Sequence, residues 1–135
     1  MTIEPWTWTR DERNTALFLR RGIADGYHDA NMRGICKVIG TLQSPVSVRW
    51  AHEMDDNDGQ FIWAAWAPED YISAFRRMID ICRAEAPNIS VLWSPLGREG
   101  MEKYYPGDDY VDRVGISIFG LEPYEIKTYG APQNL

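Results

Sequence analysis

The chain is predicted to be an α/β protein of parallel βαβ units, on three observations. Short runs rich in Val and Ile, at residues 46–51, 89–93 and 110–118, read as strands. Between them lie segments in which apolar residues recur every three or four positions, the mark of an amphipathic helix. The pairs Ser44-Pro45, Pro87-Asn88 and Ser94-Pro95 punctuate the junctions. Strands separated by helices of this length pair in parallel, with right-handed connections.

In chain order, residues 1–8 (MTIEPWTW) read as a short strand end broken at Pro5, followed by the polar stretch TRDERN and an apolar run at Ala16, Leu17, Phe18 and Leu19. Pattern fixes the role of this part only loosely. Met32, Ile35, Ile39 and Leu42 mark one helix over residues 29–42. The strand at residues 46–51 runs directly into His52-Glu53. An Asp, Asn and Gly loop at 55–59 and an aromatic cluster of Phe61, Trp63 and Trp66 follow. Pro68 then opens a second helix, with Glu69 and Asp70 complementing the dipole in its first turn. Its apolar face is Ile72, Phe75, Ile79 and Cys82. After the strand at 89–93, Gly97, Gly100 and Gly107 weaken any helix before the last strand.

At 135 residues, 44% hydrophobic and 25% charged, one globular domain over residues 1–135 is expected. The net charge of −6 would repel a phosphate backbone, so nucleic acid is not an expected partner. No signal peptide is expected at Met1, and no apolar stretch approaches the ~18 residues of a membrane span. Cys36 and Cys82 each sit in an apolar helical repeat, and buried free thiols are expected over a disulfide.

In parallel α/β folds chemistry gathers at the C-terminal ends of the strands. Those ends carry Glu4, His52 with Glu53, Trp93 with Ser94, and Ser117 with Phe119. Glu53 is the sharpest candidate, a carboxylate placed where a strand opens into a loop, although the same pair also suits an ordinary surface position. A metal site from His52, Asp55 and Asp58 lacks a recognised ligand spacing, and no metal or cofactor is expected. Trp63, Trp66, Trp93, Tyr104 and Tyr105 would suit a sugar cleft or a core, with Trp66 packing on the helix and Trp63 and Trp93 nearer the strand-end surface. There is no Gly-rich phosphate loop, no G-x-S-x-G and no C-x-x-C.

Four blocks, VRWAHEMDD, GQFIWAAWAPEDYISAFRRMIDICRA, VLWSP and YYPGDDYVDRVGIS, are similar in order and spacing to the signature of glycoside hydrolase family 26, and TIEPW resembles that family's earlier Glu-Pro strand end. The resemblance runs from Ile3 to Gly120 and is strongest to family 26-like domains of bacterial exopolysaccharide systems. It implies a TIM (β/α)8 barrel that hydrolyses β-1,4-mannan-type chains with retention, through two glutamates. Glu53 matches the general acid/base. His52 matches the sugar-binding His before it, and Trp63 falls on the aromatic block beside the scissile sugar; Trp93, Glu4 and Trp6 complete the expected substrate-binding set. The implied setting is a bacterial protein that is exported or envelope-associated, with a polysaccharide or oligosaccharide as its partner.

A full barrel takes about 250 residues and eight strands, whereas four strands are read here, matching the family's third to sixth. The family's nucleophile lies on the seventh, and Glu122 and Glu125 follow the fourth strand too soon to be that residue. Asp55 stands where the family usually has Asn, and Phe119 where it often has Tyr. The chain is therefore expected to be a partial barrel, completed by the missing remainder or by a homodimer. The alternative reading is a non-catalytic polysaccharide-binding or half-barrel module.

Overall fold

The structure, a computed structural model, describes residues 1–6 and 15–117. Among these, strand β1 (Thr2–Ile3), helix α1 (Ala16–Ala24), helix α2 (Asp29–Gly40), strand β2 (Ser47–Trp50), helix α3 (Pro68–Glu85), strand β3 (Ser90–Trp93) and strand β4 (Arg113–Val114) follow in that order, with a 3-10 turn at Met101–Tyr104 before β4. The strands form one sheet in the order β1-β2-β3-β4, every pair parallel. The α/β reading is borne out. No helix among the described residues is long and apolar enough to cross a membrane.

The helical faces read from sequence are those the fold buries. Met32, Cys36 and Ile39 of α2 meet Phe75, Met78, Ile79 and Cys82 of α3 in one apolar core. Pro68 opens α3 at its first turn, where its missing N–H leaves no donor wasted. Helix α1 is the element that pattern left undefined. The Thr15 hydroxyl caps it by accepting the Phe18 N–H at 3.2 Å, and only Leu19, Gly22 and Ile23 are buried.

Two expectations are corrected. Cys36 and Cys82 are disulfide-bonded rather than free, because the burial pattern sets them on facing stripes of α2 and α3 with Cα atoms 5.0 Å apart, inside bridging range. The last strand is much shorter than residues 110–118. Residues 108–110 form a turn instead, and the Asp112 carboxylate takes the Val91 N–H at 2.7 Å, so a side chain occupies a ladder position. Ile118 lies outside the described residues.

Among the described residues, one face of the sheet is buried and the other is less so. Along β2, Val48 and Trp50 are buried while Ser47 and Arg49 are not; along β3, Val91 and Trp93 are buried while Ser90 and Leu92 are not. This is the two-residue alternation of a strand. Trp50 packs on Tyr71 and Phe75, which identifies the buried side as the helix side. The other side carries Arg49, whose guanidinium donates to the Thr2 hydroxyl across the β1–β2 pair at 3.2 Å.

Candidate active site

The exit of β2 turns sharply. Ala51 and Glu53 both adopt the left-handed backbone, at φ 49° and 56°, which costs a non-glycine residue about 1–2 kcal/mol. Four hydrogen bonds hold the bend. The Ala51 N–H donates to the Ile3 carbonyl at 3.1 Å and the Glu53 N–H to the Ser94 carbonyl at 2.8 Å. From the side, the Trp63 indole donates to the His52 carbonyl at 2.7 Å and the Tyr71 hydroxyl to the Ala51 carbonyl at 3.2 Å. Burial keeps the Tyr71 phenol far above its ordinary pKa, so it remains a donor at any ordinary pH. Backbone strain retained by surrounding contacts in this way is common at functional sites.

The bend aims the Glu53 side chain across the strand ends. Its Oε1 accepts the Ser117 hydroxyl at 2.7 Å, a bond between the exits of β2 and β4. His52 points toward β1, with Nε2 3.9 Å from Oε1 of Glu4. Its side chain is 11% exposed, and burial, with the Arg49 charge, lowers its pKa below the ordinary 6.5 against the opposing pull of Glu53 and Glu4. Burial therefore favours the uncharged form of His52 beside Glu4. Nδ1 is buried and without a partner among the described residues. Glu4 in turn accepts the Trp6 indole N–H at 2.9 Å, and Trp6 meets the edges of Trp63 and Phe61.

The structure thus brings Glu4, Trp6, His52, Glu53 and Trp63 together, and leaves Trp93 apart. The surface position expected for Trp63 and Trp93 is corrected. Trp63 has no exposed surface and lies under Phe61, the two rings stacked at 4.5 Å. Trp93 is 4% exposed because strand alternation turns it to the helix side, where its ring meets Tyr105. Trp66 packs inward as expected, and its indole donates to the Ile62 carbonyl. Glu122, Glu125 and Phe119 lie outside the described residues.

Sequence reasoning missed two supports. Asp55 is buried, and its carboxylate accepts the N–H groups of Leu96, Gly97 and Arg98 at 2.6, 2.9 and 2.7 Å. It ties the loop after β2 to the loop after β3. Arg98 then donates to Asp58 at 2.7 Å and lies 3.8 Å from Asp56. Asp55 and Asp58, weighed from sequence as metal ligands, are thus engaged with backbone N–H groups and with Arg98, and among the described residues no three His, Cys, Asp or Glu side chains cluster to hold an ion. The second is Ser117, visible in the sequence only as one of several polar strand-end residues.

Comparison with known proteins places the fold in a family. Residues 28–131 match the model of glycosyl hydrolase family 26. A β-1,3-xylanase of Alcaligenes sp and a second, from Vibrio sp, are each 32% identical over 106 residues, covering 73% of this chain and 22% of the relative. The chain therefore spans about a fifth of those proteins. Among solved structures, the family 26 endo-β-1,4-mannanase of Bacillus sp. JAMB-750 superposes with a TM-score of 0.69 at 22% identity, over 90% of this chain and 37% of that one. A β-mannanase of Bacteroides ovatus gives 0.67 at 22% identity, over 86% and 38%. The four parallel strands are thus part of a (β/α) barrel, and the chain belongs to glycosyl hydrolase family 26.

Proposed function

We propose that this chain carries the acid/base portion of a retaining glycoside-hydrolase site, with Glu53 as the proton-transferring carboxyl and a β-1,4-mannan-type polysaccharide as substrate. The observation that carries the reading is the held, left-handed exit of β2, which presents Glu53 across the strand ends to Ser117. Retention requires a second carboxyl about 5–5.5 Å from the first, to attack the anomeric carbon while the acid protonates the leaving oxygen. By family resemblance, that nucleophile belongs to a later strand. Neutral His52 and the carboxylate of Glu4 offer a donor and an acceptor for sugar hydroxyls, with Trp6 beside them. Trp63, being buried, serves the sugar site by supporting Phe61 and Trp6. We assign Trp93 a supporting role from beneath β3.

A β-1,3-xylan substrate is the second reading, favoured because the 32%-identical relatives are β-1,3-xylanases. The rest of a barrel would come from further chain or from a second copy, as the partial coverage of the family's solved structures supports. A cystine between α2 and α3 suits an oxidising setting, which supports an exported or envelope-associated protein.

The test is release of reducing ends from β-1,4-mannan, glucomannan and β-1,3-xylan by the completed barrel, with Glu53 in place and with Glu53→Gln. Turnover on one substrate, lost in Glu53→Gln with the fold retained, is the expected result, and the preferred polymer decides between the two substrates. Turnover that survives Glu53→Gln removes Glu53 from the chemistry. Saturable oligosaccharide binding without turnover in either protein moves the function to a non-catalytic module.

A further inference from the structure

We infer that Ser117 is a positioning residue for Glu53, and that by engaging Oε1 it leaves Oε2 as the oxygen that carries the proton. The inference rests on the acid/base reading of Glu53 proposed above. The two side chains are 64 positions apart in sequence, yet Oγ of Ser117 lies 2.7 Å from Oε1, the usual length of an O–H donor on a carboxylate oxygen. Both partners are fixed through the strand between them. The Glu53 N–H donates to the Ser94 carbonyl at 2.8 Å, and the Ser117 N–H donates to the Pro95 carbonyl at 3.3 Å, so consecutive residues at the exit of β3 anchor both ends of the bond. Among the described residues no other hydrogen bond to the Glu53 carboxylate is made.

The consequence is chemical. A serine hydroxyl has one hydrogen, and here it points at Oε1. While that hydroxyl donates to Oε1, the carboxyl hydrogen of protonated Glu53 resides on Oε2, because a hydrogen on Oε1 would require the Ser117 hydroxyl to turn away and accept. In the first half-reaction the Oε2–H bond breaks and its proton passes to the glycosidic oxygen. The bond from that oxygen to the anomeric carbon breaks in the same step, its electron pair staying on the departing alcohol as a carboxylate nucleophile bonds to the carbon. In the second half, Oε2 takes a proton from water while the water oxygen bonds to the anomeric carbon and the nucleophile leaves. Oε1 accepts from Ser117 throughout, so Glu53 changes protonation twice without changing its position. Preorganisation of this kind avoids reordering a catalytic group at the moment of reaction.

The test reads the carboxyl carbon of Glu53 directly, by NMR of the whole chain labelled with 13C-glutamate at neutral pH, the resonance being assigned as the one lost in Glu53→Gln. It is expected to move by more than its linewidth in Ser117→Ala and to return toward its original position in Ser117→Thr, with the other glutamate resonances in place as the check on folding. Should Ser117→Ala fail to fold, the wild-type chain in mixed H2O and D2O supplies the readout, since a deuterium on the Ser117 hydroxyl shifts the Glu53 carbon. A Glu53 resonance indifferent to Ser117→Ala, or without that isotope shift, overturns the inference whatever the turnover assay gives. A resonance that responds to Ser117 in a chain whose turnover survives Glu53→Gln overturns the acid/base reading instead, and with it the role of Oε2.

Discussion

At the scale of single residues, Asp55 shows how a site is held by groups that do no chemistry. One carboxylate satisfies three successive backbone N–H groups of the loop after β3, and hydrogen bonds to a charged acceptor contribute more than neutral ones. Replacing Asp55 with Ala leaves those donors unpaired in a buried place, and the expected loss of stability is about 2–4 kcal/mol. Asp55→Asn is expected to lose less, since its single carbonyl oxygen still accepts while its NH2 opposes a donor. Urea denaturation of both variants checks the order, and equal midpoints for Asp55→Ala and wild type would remove this role. Glu53 and His52 were legible in the sequence because a strand end beside a loop is a place that can be read from pattern. Asp55 and Ser117 were not legible as supports, since each acts on a partner 40 or more positions away in the chain. The burial of Trp63 was hidden for a related reason: only the fold shows that Phe61 lies over it.

At the scale of elements, α2 and α3 were legible because their three- and four-residue spacing reports the face they bury. Helix α1 carried the same kind of signal more weakly, in the Thr15 cap followed by Leu19 and Ile23, but the adjacent exposed Leu17 and Phe18 blur its face. The close packing of α2 on α3 could not be read at all, and two positions test it. A Cβ added at Gly40 would collide with the backbone carbonyl of Glu85, which cannot swing away as a side chain would. Gly40→Ala is therefore expected to destabilise the chain despite Ala's better helix propensity, by about 1–3 kcal/mol as in other overpacked sites; thermal unfolding at or above the wild-type midpoint would refute the contact. The Cys36–Cys82 bond closes a separation of 46 residues, and for a loop of that length cross-linking stabilises by about 4 kcal/mol in the chain-entropy account. The double variant Cys36→Ser with Cys82→Ser is expected to unfold at markedly lower urea. The wild-type chain under reducing conditions should approach it, and a reductant-insensitive midpoint would mean that the bond does not form.

At the scale of the whole molecule, the two histidines give stability a direction with pH. His28 and His52 both have pKa values lowered from 6.5, in each case chiefly by burial. For His28 the Asp29 charge opposes this, and for His52 Arg49 adds to it while Glu53 and Glu4 oppose it. Both rings therefore fold best uncharged. Between the lowered folded values and the ordinary 6.5, the unfolded chain binds protons that the folded chain refuses, so stability falls as pH falls through that window. Each histidine contributes at most about 1.4 kcal/mol per pH unit there. The Asp29 carboxyl, held below its ordinary value chiefly by its hydrogen bond from Arg77, adds stability that is present above 3.8 and is lost only in stronger acid, so it does not offset the histidines. Its exposed pairing with Arg77 makes that contribution small. The urea midpoint is expected to drop between pH 7.5 and 5.5, and to drop less in His28→Gln, which removes one titrating ring and leaves His52 in place. A midpoint that holds steady or rises over this range would mean that the rings accept protons in the folded state, and with that His52 would meet Glu4 as a charged pair instead of the neutral donor proposed for the sugar site.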